Sequence, residues 1–206
     1  MKAIIWDLDG TLIDSYEVIV GSIYDGLKDL DIYIDKKVIA DHVQTYSVTS
    51  FIKMISDKTG IDSDIIFDNY FKYNDQRNLQ IKAIVHAKES LETLSQRNIL
   101  HLMYTHKSNI TFEILENLDM LKYFKEILTI DDGFKRKPDP EALNYLLNKY
   151  QLDKNEVFYV GDRSLDIESA INAGVKSILF IPENSPGTPT GKENYIIHDL
   201  LEIINI

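Results

Sequence analysis

Short apolar runs recur along this chain at residues 3–6, 99–104, 127–130, 157–160, 177–181 and 195–197. They are mostly apolar throughout instead of alternating with polar residues, as expected of strands covered on both faces. Stretches of helical period lie between most of them. Ile110, Ile114, Leu115 and Leu118 share one face, Ala142, Leu143, Leu146 and Leu147 another, and Ile167, Ala170 and Ile171 a third. A chain that alternates buried strands with one-sided helices hides these surfaces best as an α/β fold, an open parallel sheet with helices on both sides. Ligands of such sheets sit beyond the carboxyl ends of the strands, so the residues just after each run are the first candidates for function.

The alternation fails over residues 14–79, which read as several helices with no convincing strand. Val18, Ile19, Ile23 and Leu27 form one apolar stripe, Phe51, Ile52 and Ile55 a second, and Ile65, Ile66, Phe67, Tyr70 and Phe71 a third. The expected organisation is a core of residues 1–13 and 80–206 with an inserted all-helical cap domain of residues 14–79. The insert enters directly after the first strand, where long insertions usually serve function. The two crossings, near residues 13–15 and 79–83, lack Pro and are expected to act as hinges. Residues 184–193, with Pro, Gly, Ser and Thr, read as a loop.

Carboxylates cluster at the strand ends. Asp7-Leu8-Asp9-Gly10-Thr11 follows the first run. An Asp-Gly turn is common, but the four specified residues arise by chance in a chain this long on the order of once per thousand. Gly161-Asp162-Arg163-Ser164-Leu165-Asp166 follows the fourth run and opens a helix, with Asp162 and Asp166 four apart and expected on one helical face. Helix capping accounts for one acid there. A cation between these two and the Asp7–Asp9 pair accounts for all four, and few carboxylates completed by water and phosphate describe Mg²⁺. Thr105-His106-Lys107-Ser108 follows the second run, a hydroxyl beside the free N–H groups of a helix start. In Lys135-Arg136-Lys137-Pro138-Asp139-Pro140, Asp139 is expected as an N-cap with Pro140 at the first helical position, which fixes the approach of Lys137.

Composition removes several alternatives. Thirty-three acids against 22 Lys+Arg in 206 residues give a formal charge of −11, which argues against nucleic acid or an anionic membrane as partner. No apolar run approaches the ~20 residues of a spanning helix, and Asp7 and Asp9 interrupt the N-terminal one too early for a signal peptide. There is no cysteine, which fits a cytoplasmic setting and excludes thiolate chemistry. The five histidines, His42, His86, His101, His106 and His198, show no metal-binding spacing.

In order and spacing, DLDGTL (7–12), the Thr of MYTHKS (105), KRKPDP with Lys137, and GDRSLD (161–166) resemble the haloacid dehalogenase-like hydrolase superfamily over essentially the whole chain. The helical insert looks like the small cap of its phosphoglycolate-phosphatase-like branch. Three positions depart from the usual pattern. Ile84-Val85-His86-Ala87 stands where many relatives have Pro-Gly, His106 where small residues are frequent, and Arg163 where Thr or Ser is usual.

The resemblance implies a Rossmann-like core and phosphate monoester hydrolysis through an aspartyl-phosphate. Asp7 would be the nucleophile and Asp9 the general acid and base. Mg²⁺ would lie between the Asp7 carboxylate, the Asp9 backbone carbonyl and Asp162, with Asp166 holding that shell from outside. Thr105 and Lys137 would bind phosphoryl oxygens, and Lys137 would orient Asp7. Gly10, Thr11 and His106 complete the expected phosphate- and substrate-binding set. Tyr16 and Tyr46 join it from the insert, with Glu17 and Ser47 beside them as further selectivity candidates. The expected partner is a small phosphorylated metabolite, bound by a monomer or weak homodimer. A phosphomutase would keep all four motifs, and a catalytically silent phosphate-binding regulatory protein is the alternative from another class.

Overall fold

The structure is a computed structural model and describes residues 1–182 and 187–206. In chain order it contains β1 (Ala3–Trp6), β2 (Ile13–Asp14), helices α1 (Tyr16–Lys28), α2 (Lys36–Thr45), α3 (Val48–Thr59) and α4 (Ser63–Arg77), and β3 (Lys82–Ala83). There follow α5 (Ala87–Gln96), β4 (Leu100–Tyr104), α6 (Ile110–Asn117), β5 (Phe124–Leu128), α7 (Glu141–Lys149), β6 (Val157–Gly161), α8 (Ser164–Ala173), β7 (Lys176–Phe180) and β8 (Tyr195–Ile197). The chain divides into two units, Met1–Asp14 with Lys82–Ile206, and Ser15–Ile81.

In the first unit, six strands form one sheet in the order β5-β4-β1-β6-β7-β8, and every pairing is parallel. All four residues of β1 are buried, as a central strand of Ala, Ile and Trp requires. The chain builds outward from β1 through β4 and β5, then crosses back to add β6, β7 and β8 on the other side. That reversal opens a crevice at the carboxyl end of β1, flanked by β4 and β6. Ala3, Ile5, Leu102, Tyr104 and Tyr159 of the sheet pack with Leu143, Leu146 and Leu147 of α7 and Ala170 and Ala173 of α8.

The structure corrects several expected boundaries. The strand expected at residues 127–130 is β5, which covers Phe124–Leu128. It is an edge strand bonded only to β4, so it tolerates the polar Lys125 and Glu126. It ends because the Thr129 side chain accepts from the Asp131 backbone N–H and caps a 3₁₀ turn at Ile130–Asp132. Ile171 is half exposed, leaving Ile167 and Ala170 as the buried stripe of α8. The crossings at residues 13–15 and 79–83 carry two short strands that periodicity did not indicate, β2 and β3, which pair antiparallel, Ile13 opposite Ala83 and Asp14 opposite Lys82.

The second unit holds four helices. Ile19, Val20, Ile23 and Leu27 of α1 pack with Ile39 and Val43 of α2, Phe51, Ile52 and Ile55 of α3, and Ile66 and Tyr70 of α4. Ile65 and Phe71, expected in the α4 stripe, are exposed, because Ile66, Tyr70 and Asn74 take the inner face at four-residue spacing. Of the 184–193 loop, residues 184–186 lie outside the described residues.

Candidate active site

The candidate residues from the four motifs lie in the first unit, on the segments that follow β1, β4 and β6, on the segment before α7 and, for Asp166, in the first turn of α8. Asp7 directly follows β1, and its N–H donates to Val160 O of β6 at 2.8 Å. The chain then turns sharply. Gly10 has φ 79°, a left-handed conformation that suits glycine. Gly10 N donates to Ile13 O at 2.9 Å and Thr11 N to Leu8 O at 3.2 Å. These backbone hydrogen bonds hold the turn that places Asp7 and Asp9.

Asp7 is 3% exposed. Its Oδ1 accepts a hydrogen bond from Lys137 Nζ, and its Oδ2, also buried, has no hydrogen-bond partner. The Lys137 side chain is fully buried, donates to Asp166 Oδ1 at 2.8 Å, and lies over the rings of Tyr104 and Tyr159, each 5.3 Å away. Burial pushes the Asp7 carboxyl up to about 6, against the opposing pull of Lys137. Burial acts the same way on Asp166, but Lys137 and Arg163 outweigh it and hold that carboxyl below its ordinary range.

Asp166 is engaged at both oxygens. Oδ1 receives Lys137 and, at 3.3 Å, the Tyr159 hydroxyl, while Oδ2 accepts from the Arg163 backbone N–H at 3.1 Å. Arg163 is the N-cap of α8, and the Asp166 carboxylate, in the first turn, satisfies its backbone N–H. Asp162 therefore precedes the helix instead of sharing a helical face with Asp166. Gly161 is required here by space, since a Cβ would lie 2.3 Å from Asp166 Cβ. One carboxylate oxygen from each of Asp7, Asp162 and Asp166 falls within 4.8 Å of the others. An all-oxygen donor set containing a buried carboxylate oxygen without a hydrogen bond suits a hard divalent cation such as Mg²⁺.

Thr105 is buried at the end of β4. Its hydroxyl accepts from the Lys107 backbone N–H at 3.1 Å, which leaves its own proton to donate. Lys107, absent from the expected set, forms an ion pair with Asp9 at 3.0 Å, with side chains 9% and 23% exposed. The signal for it was present in the sequence, as a cation two residues past Thr105 at a strand end facing acids. His106 Nε2 accepts from the Lys137 backbone N–H at 2.9 Å. Asp139 still caps α7, accepting from Glu141 N at 3.0 Å, but the residue at the N-cap position is Pro140, so the helix starts one residue later than expected.

Residues 4–180 match the family model described as haloacid dehalogenase-like hydrolase. The chain belongs to the haloacid dehalogenase-like hydrolases. A phosphoglycolate phosphatase of Vibrio parahaemolyticus is 29% identical over 220 residues, covering 100% of this chain and 96% of that protein. Pyrophosphatase PpaX of Oceanobacillus iheyensis is 28% identical over 209 residues, with 100% and 96% covered. The crystal structure of a predicted phosphoglycolate phosphatase from Haemophilus somnus superposes with a TM-score of 0.86 at 23% identity, covering 100% of this chain and 97% of that one, a likeness of fold. In this haloacid dehalogenase-like hydrolase the motif departures have local explanations. His86 holds φ 62°, a left-handed conformation natural to the glycine of a Pro-Gly pair, and its Nδ1 lies 2.7 Å from Asp199 Oδ2. Arg163 Nε lies 4.0 Å from Asp162 Oδ1.

The candidates from the insert belong to the second unit. Tyr16 opens α1 with Glu17 beside it, Tyr46 follows α2 and is 60% exposed, and Ser47 caps α3 by accepting from Ser50 N at 3.0 Å. Among the described residues, no helix is long and apolar enough to cross a membrane.

Proposed function

We propose that this hydrolase is a Mg²⁺-dependent, phosphoglycolate-phosphatase-like enzyme that cleaves small phosphate monoesters in the cytoplasm through an aspartyl-phosphate on Asp7. The observation that carries this reading is the state of Asp7, buried, with one oxygen bound to Lys137 and the other without a hydrogen bond. The Asp7 carboxylate forms the bond to phosphorus as the ester P–O bond breaks, which splits one difficult displacement into two easier ones. Asp9, once it releases Lys107 and is protonated, gives its proton to the leaving oxygen, then takes one from the water that cleaves the acyl phosphate. Lys137 and the Thr105 hydroxyl hold phosphoryl oxygens, and the preorganised charge does most of the catalytic work. Asp7, Asp162 and the Asp9 carbonyl would hold Mg²⁺, with Asp166 behind them, and the ion would offset repulsion between an anionic nucleophile and an anionic ester. An aryl phosphate with Mg²⁺ tests the reading, since turnover is expected and its absence at every pH favours a phosphate-binding regulatory protein.

The metal assignment has its own test by calorimetric titration with Mg²⁺. Asp162→Ala is expected to weaken binding at least tenfold and Asp139→Ala to leave it within twofold, because Asp139 serves α7 as a cap. Equal losses would make the last motif structural.

The inserted unit, as a cap, would select the ester. Substituting Tyr16, Glu17, Tyr46 and Ser47 is expected to change the rank order of kcat/KM among phosphoglycolate, sugar phosphates, nucleotides and inorganic diphosphate. A uniform change across all of them would rule against selection by these residues.

A further inference from the structure

The residue after Thr105 carries a signal that the phosphatase mechanism does not use. His106 Nε2 lies 2.9 Å from the Lys137 backbone nitrogen. A backbone amide can only donate, so Nε2 must be the unprotonated nitrogen, and the proton of the neutral ring sits on Nδ1. Two residues earlier, the Tyr104 hydroxyl donates to Lys135 O at 2.7 Å. The end of β4 thus holds the 135–137 segment at two alternate backbone groups, one carbonyl and one amide. The two side chains support each other edge to face, with ring centroids 5.6 Å apart and planes at 82°. The same segment carries Lys137, whose ammonium touches Asp7 and Asp166 and lies 5.3 Å from the Tyr104 ring.

The remaining expectation for His106 was contact with the substrate. With Nε2 engaged by the Lys137 backbone, the geometry points elsewhere. We propose that His106 is a positioning residue that fixes the backbone of Lys137, and thereby aims the Lys137 ammonium at the nucleophile Asp7. This role rests on the phosphatase reading for its kinetic consequence, though not for its geometry. The ring suits the task because it stays a neutral acceptor. Burial, with the Lys137, Arg136 and Arg163 cations around it, holds its pKa down to about 3. Misplacing a catalytic group by about 1 Å costs on the order of 10²-fold in rate.

Two measurements separate this role from simple packing. In uniformly ¹⁵N-labelled protein, the bond should appear as a coupling across the hydrogen bond between Lys137 N and His106 Nε2, with Nε2 in the unprotonated shift range at pH 7. An Nε2–H tautomer, or no such coupling, overturns the proposal whether or not the protein hydrolyses anything. In kinetics on an aryl phosphate, His106→Leu should lower kcat by 10- to 100-fold with KM changed less than threefold. His106→Gln, whose side-chain oxygen reaches a similar position, should recover most of kcat, and the shorter His106→Asn should not. If His106→Leu does not fold, the Gln and Asn pair still decides the point. Equal kcat for all folded variants, or a loss that tracks melting temperature alone, sinks the proposal. If the wild-type protein shows no turnover while the coupling is present, the phosphatase reading fails and the structural link stands.

Discussion

Asp7→Asn is expected to abolish turnover, by on the order of 10⁴-fold or more, and to leave the protein at least as stable at pH 7. The first effect follows from removing a nucleophile that acts as one unit with its supports. The second follows from linkage. An unfolded Asp titrates near 3.9, and burial raises Asp7 to about 6 in the fold. The folded protein therefore binds the extra proton between those values. Stability from this group is full below about pH 4 and is lost as pH rises through about 6. At pH 7 the buried charge is a liability that Asn removes, while Lys137 keeps Asp166 as its partner. The melting-temperature advantage of the variant should shrink to nothing near pH 4. Thermal denaturation at both pH values, with trapping by beryllium fluoride, checks this. Residual wild-type turnover, or an adduct on another residue, would falsify the nucleophile assignment.

Lys137→Met is expected to cost both activity and stability. It leaves two buried carboxylates, Asp7 and Asp166, without the cation that both contact. Stripping one partner from a buried ion pair costs roughly 3–5 kcal/mol, because the remaining charge stays out of water. Met keeps the volume of the stem, so the loss reads charge and not a cavity. Without the ammonium both carboxyls rise, so the variant's stability falls with increasing pH and its deficit is smallest near pH 4. Adding Asp166→Asn should recover part of the stability at pH 7 and none of the turnover. Chemical denaturation of the single and double variants measures this. Additive losses would mean that the three side chains do not form one charge cluster.

Asp199 and His86 show how far motif reading extends. The absence of Pro-Gly at residues 85–86 was visible in the sequence, but its remedy was not. Asp199 pairs with a histidine 113 positions away and caps the C-terminal 3₁₀ segment through Leu201 N at 2.8 Å. Lys107 is similar. It lies two residues past Thr105 in the same motif, yet only the approach of β4 to β1 sets its ammonium beside Asp9.

The sequence alone determined the α/β class, the order of the six strands of the main sheet and the residues at the carboxyl ends of β1, β4 and β6. Those depend on local periodicity and on which side chains tolerate burial, both of which are properties of consecutive residues. The tertiary structure decided which strand ends meet. β1 lies between β4 and β6, so Asp7, Thr105 and Asp162, distant in sequence, share one crevice. It also decided what each polar atom does once there. Asp166 spends both oxygens on Lys137, Tyr159 and Arg163, and His106 spends its lone pair on the Lys137 backbone. A carboxylate or an imidazole carries no mark in the sequence of the partner it will bond. Burial forces each polar group to find one, and only the packed chain settles which groups lie within reach.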